Sequence, residues 1–66
     1  MSPVDDQQRY HLILTAGGRL VLQGWWAGEA IARRKFSGLV VEYGNLHGVK
    51  ITLVDERTGQ TLASWP

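Results

Sequence analysis

The side chains able to do acid–base, nucleophilic or metal chemistry are few in this 66-residue chain, and they are scattered. Its two histidines, His11 and His47, lie far apart and in no metal-ligand spacing such as His-Glu-x-x-His, so each reads as a solvated or structural residue. Ser2, Ser37 and Ser64 fall in no Gly-x-Ser-x-Gly elbow, which leaves nucleophilic catalysis without a candidate. The six acids include no pair spaced to bring two carboxylates into one cleft, the arrangement that glycoside hydrolysis needs. Asp55 is the most tempting of them, yet it precedes Glu56-Arg57-Thr58-Gly59, where an aspartate's ordinary work is to accept hydrogen bonds from the turn backbone. Gly17-Gly18 leads into a strand-like run rather than a helix, so it is a turn and not a phosphate loop. With no cysteine, thiolate metal sites and disulfides are excluded too. The expectation is a non-enzymatic protein without cofactor or metal.

The elements that position these residues follow from apolar periodicity. Residues 9–15 and 19–26 are two β-rich runs flanking Ala16-Gly17-Gly18, which predicts a hairpin. A three-residue loop pairing Thr15 with Arg19 places Tyr10, Leu12, Leu14, Leu20, Leu22 and Trp26 on one face; a two-residue loop would shift the pairing by one and mix Leu12 and Leu14 with Arg19 and Gln23. The three-residue loop is therefore expected. From Gly28 to Tyr43 the spacing changes to three and four: Ala32, Phe36, Leu39, Val40 and Tyr43 form one helical stripe, with Phe36 at its centre as the expected plug between helix and sheet. Glu29 stands four residues before Arg33, in the favourable order for an ion pair, and Gly44 is expected to end the helix in a left-handed conformation. Residues 49–55 and 60–65 make a second hairpin. Pairing Asp55 with Gln60 puts Val49, Ile51, Leu53 and Leu62 on one face and Lys50, Thr52, Val54, Thr61, Ala63 and Trp65 on the other. The fold class is thus α+β, in the order β-β-α-β-β, with a four-stranded, mainly antiparallel sheet and one helix packed across one face.

Length and composition are consistent with that architecture. A chain of 66 residues makes one small domain, and 44% hydrophobic with 20% charged residues is ordinary globular composition. Residues 1–8 read as a flexible leader and 9–66 as the domain. Two of the six acids, Asp5 and Asp6, fall in the leader, which leaves four acids against seven bases in the domain, only a mild basic bias. Neither a basic, apolar export signal nor a membrane-length apolar run occurs, so the expected location is cytoplasmic, with no membrane partner.

Gly24-Trp25-Trp26, Ala32-Arg33-Arg34-Lys35-Phe36 and Leu62-Ala63-Ser64-Trp65-Pro66, together with Ile51-Thr52-Leu53-Val54-Asp55 and Thr58-Gly59, resemble a group of short bacterial proteins of unknown function, over most of residues 9–66. The resemblance implies a small self-standing protein and carries no site residue with it.

Function is therefore sought on the surface. With the helix covering one face, the other is expected to present Ile13, Val21, Trp25, Val54 and Trp65, too apolar a set for an idle surface. Self-association through this face, giving a homodimer, is the leading expectation, and an unidentified protein partner is a variant of it. The alternative is weak nucleic-acid binding. In that reading bases stack on the sheet aromatics, with Arg9, Arg19 and Lys50 along the sheet, or phosphates meet the helix patch Arg33-Arg34-Lys35. Ile31 and Val41 lie off the helical stripe and point to a partner contact there as well.

Overall fold

The computed structural model describes residues 8–66, and the expected leader otherwise lies outside the described residues. Four strands, β1 (Tyr10–Ala16), β2 (Arg19–Trp26), β3 (Val49–Asp55) and β4 (Gln60–Trp65), form one sheet, and a single helix, α1 (Glu29–Tyr43), lies between β2 and β3 in the chain. The spatial order is β2-β1-β3-β4 and every pairing is antiparallel. The ββαββ α+β fold read from the sequence is the fold of the protein. The strand order, which periodicity left open, follows from α1 carrying the chain across the sheet so that β3 pairs with β1, leaving β2 and β4 as the outer strands.

The two central strands supply most of the core. Leu12 and Leu14 from β1 and Ile51 and Leu53 from β3 are fully enclosed, paired as Leu12 with Leu53 and Leu14 with Ile51. Ala32 is the helix residue driven deepest against them, because a methyl lets the helix backbone approach closely. Phe36, Leu39, Val40 and Tyr43 pack around this centre and remain partly exposed. The helical stripe is on the expected side, but Phe36 flanks the core rather than plugging it.

Both hairpins depart from the expected registers, each by a β-bulge. In the first, the loop is two residues long: Gly17 (φ +60°) and Gly18 (φ +81°) both take left-handed conformations, and Ala16 pairs with Arg19. The pairing then shifts between Leu14 and Thr15, with Val21 as the additional residue, so that Leu14 opposes Leu22 and Tyr10 opposes Trp26. A tight glycine turn and an intact apolar face are thereby combined, a solution that regular pairing does not offer. Its consequence is that Leu20 stands opposite Thr15, away from the helix, and is 56% exposed rather than in the core.

In the second hairpin, Asp55 pairs with Gln60 as expected and Gly59 takes positive φ (+76°), but the pairing shifts between Leu53 and Val54, with Leu62 as the additional residue. Beyond the bulge Ala63 faces Leu53 and Trp65 faces Ile51, so both turn to the helix-bearing side. Leu62 and Ala63 both pack against the core, which removes more apolar surface from water than regular alternation would. The helix end also differs from expectation. Gly44 remains right-handed (φ −60°) and its N–H donates to the Val40 carbonyl, while the left-handed position falls to Gly48 (φ +72°), whose carbonyl accepts from the Gly17 N–H at 3.1 Å.

Candidate interaction surface

The side of the sheet away from α1 is built from the alternate residues of the same strands. His11 sits between Trp25 and Val54, Ile13 between Gln23 and Thr52, and Thr15 between Leu20 and Lys50. Ile13 and Val54 are partly buried by their neighbours, whereas Trp25 (42%), Val21 (46%) and Leu20 are exposed.

His11 organises one end of this surface. Its ring stacks on the Trp25 indole with centroids 4.3 Å apart and planes within 8°. Nδ1 lies 2.8 Å from Glu56 Oε1 and Nε2 lies 2.9 Å from Gln23 Oε1. A histidine steered by a carboxylate resembles a catalytic base, but here the second ring nitrogen meets an amide instead of a nucleophile. With both nitrogens engaged and one ring face covered, His11 acts chemically as a rigid support that holds the Trp25 indole flat. The sequence reading of His11 as solvated or structural omitted this constellation. Only cross-strand register reveals it, since Gln23, Trp25 and Glu56 become its neighbours through two separate pairings.

Asp55, on the helix-bearing side of β3, is nearly buried and performs the expected turn role with an addition. Oδ1 accepts from the Arg57 N–H at 3.0 Å, and its backbone carbonyl accepts from the Thr58 and Gly59 N–H groups. Both carboxylate oxygens also accept from Arg9, whose Nε and Nη2 donate at 3.0 and 2.9 Å. Hydrogen bonds from Arg9 hold the Asp55 carboxyl below the usual carboxylate range, and the same pairing raises Arg9. Arg9 is thereby taken out of the supply of cations available along the sheet.

The sequence-derived sites divide accordingly. Ile13, Trp25 and Val54 share the uncovered face, with Val21 at the bulge on its margin. Trp65 does not belong with them. The β4 bulge turns it to the helix side, where its Nε1 lies 3.4 Å from the position a Cβ would take on Gly44. Leu20 replaces it as the apolar residue that the sequence missed. The cations separate as well. Lys50 lies on the uncovered face, whereas Arg19, opposite Ala16, belongs by alternation to the other side at the hairpin tip. Arg33 is bound by Glu29 at 2.7 Å, as its spacing predicts, while Arg34 and Lys35 line a groove between α1 and β2. They form no single cationic track. Ile31 (50%) and Val41 (84%) are exposed on the helix.

Among the described residues no group of three or more His, Asp or Glu side chains is placed to hold a metal ion, and no helix is long and apolar enough to cross a membrane. No protein family, curated protein or solved structure matches the chain.

Proposed function

We propose that this chain is a non-enzymatic interaction module that works as a homodimer through the uncovered face of its sheet, in a cytoplasmic setting. The observation that carries the reading is the placement of Ile13, Leu20, Trp25 and Val54 on a sheet face that no element among the described residues covers. A four-stranded sheet with apolar residues on both sides has room for only one internal core in so short a chain, and a second copy supplies the missing layer. Charge placement favours a twofold partner. On this face Lys50 lies at one end of β3, and Glu56, just beyond the other end, holds His11. A twofold axis lying between two facing sheets and running across the strands sets each copy's Lys50 toward the other's Glu56. The rigid Trp25–His11 stack supplies a large, preordered aromatic at low entropic cost, the usual character of an interface anchor.

Sedimentation equilibrium over micromolar to submillimolar concentration tests this reading. The expected species has twice the 7.4 kDa chain mass, and Trp25→Ala returns it to the monomer without unfolding. A monomer throughout the range overturns it.

A further inference from the structure

The geometry points to a second site, separate from the uncovered face: the free edge of β2 and the groove beside it form a docking site for an extended, acidic segment of another protein, which adds to the sheet as a fifth strand. β2 is an outer strand, so one side of its backbone presents N–H and C=O groups without a strand partner among the described residues. An open groove of about 500 Å³ runs along it, with Leu22 and Trp26 from the strand and Gly38 and Leu39 from α1 among its walls. Strand addition next to a helix uses both features together: the backbone edge supplies hydrogen bonds, and alternate side chains of the added strand drop into the groove.

Three details shape this groove for an apolar side chain flanked by a carboxylate. The Trp26 indole folds back over Gly24 so closely that a Cβ at Gly24 would lie 2.7 Å from its Cη2, which presets an aromatic wall. Gly38 lines the groove with nothing within 4 Å of where its Cβ would stand. No contact of the fold requires glycine there, although glycine weakens the helix, and its effect is to leave room. Arg34 and Lys35 also line the groove, and neither makes an ion pair among the described residues, in contrast to Arg33 beside them. Glu42, about two turns further along α1, reverses the sign of charge at that end and so confines the acidic part of the strand to the end bearing Arg34 and Lys35.

The test uses the full-length, isotopically labelled protein and two synthetic peptides, one alternating valine with glutamate and one alternating valine with lysine, both with serine ends. The glutamate peptide is expected to shift the backbone amides of Leu22 to Trp26 and the Trp26 indole, leaving the Trp25 indole unmoved. Salt should weaken it, and Arg34→Glu with Lys35→Glu should weaken it about tenfold. Gly38→Val, which fills the groove from an exposed helix position, should abolish binding while the spectrum otherwise stays folded. The proposal is overturned if the lysine peptide binds equally well, if the shifts fall on Ile13 and Trp25 instead, or if neither peptide binds the folded protein. It is overturned equally if a short oligothymidylate, and not the glutamate peptide, produces the β2 shifts, because the groove then belongs to nucleic acid.

Discussion

Leu53 and Val54 are neighbours on β3, yet Leu53 is fully enclosed beneath α1 and Val54 stays partly open on the other face of the same sheet. The same division runs along β1, where Leu12 and Leu14 are buried and His11 and Ile13, which alternate with them, are only partly so. One face has its complement within the chain. The other has been equipped differently, with a stacked tryptophan–histidine pair, both histidine nitrogens engaged, and apolar residues set among Thr15, Thr52 and Lys50. The difference teaches that alternation assigns residues to faces but does not say which face is internal. Here the helix decides, by placing Ala32 against the central strands.

The largest expected effect sets those two faces against each other. Leu53→Ala removes enclosed side-chain volume and should cost about 2–5 kcal/mol, comparable to the whole stability of a domain this small. Val54→Ala, measured in dilute solution where the partner is absent, should cost about 1 kcal/mol or less. Urea melts of the two variants break the comparison if they lose equal stability.

Two glycines, Gly24 beneath the Trp26 wall of the β2 groove and Gly38 on its helix wall, should respond with opposite signs. Gly24→Ala forces the Trp26 ring from its place and should cost about 1 kcal/mol, with a changed tryptophan emission. Gly38→Ala adds a methyl that meets nothing and should gain up to about 1 kcal/mol from helix propensity alone. Thermal melts read both.

The Arg9–Asp55 pair sharpens the comparison through pH. Because the Asp55 carboxyl titrates below the usual range when folded, its contribution is present above the unfolded value near 3.8 and is lost as pH falls through the lower, folded one. Asp55→Asn keeps an acceptor for the Arg57 N–H but no charge for Arg9. Its stability deficit against the parent should therefore be plain at neutral pH and shrink in acid. A deficit that is constant with pH contradicts the ion-pair account. The smallest effect is expected from Arg34→Ala, which should alter folding by no more than about 0.5 kcal/mol.

Much of this was legible in the sequence. The 3.6-residue stripe from Ala32 to Tyr43, the Glu29–Arg33 pair, the Asp55 turn and the division of β1 and β3 between two faces all rest on local spacing, which a linear reading captures. The two bulges were not legible. An additional residue such as Val21 or Leu62 carries no local mark, being a β-branched or aliphatic residue inside a strand like its neighbours. Each bulge reverses the faces of what lies beyond it, which brought Leu20 onto the uncovered face and took Trp65 from it. Interactions that join two strands and the turn after a third, such as His11 with Gln23, Trp25 and Glu56, depend on strand order as well as register and stay hidden until both are known.

That exchange makes the three tryptophans a direct probe of the central claim, that the uncovered face and not the helix-bearing face meets a second copy. Trp25 lies on the uncovered face, Trp26 folds over Gly24 beside the helix, and Trp65 reaches toward Gly44. Each has one indole N–H, observable separately by nitrogen-15 correlation spectroscopy as the protein is diluted from submillimolar to low micromolar concentration. The account predicts that the Trp25 resonance moves with concentration while those of Trp26 and Trp65 stay in place. A spectrum in which Trp65 moves and Trp25 does not, or in which none of the three moves while sedimentation shows the monomer, contradicts it.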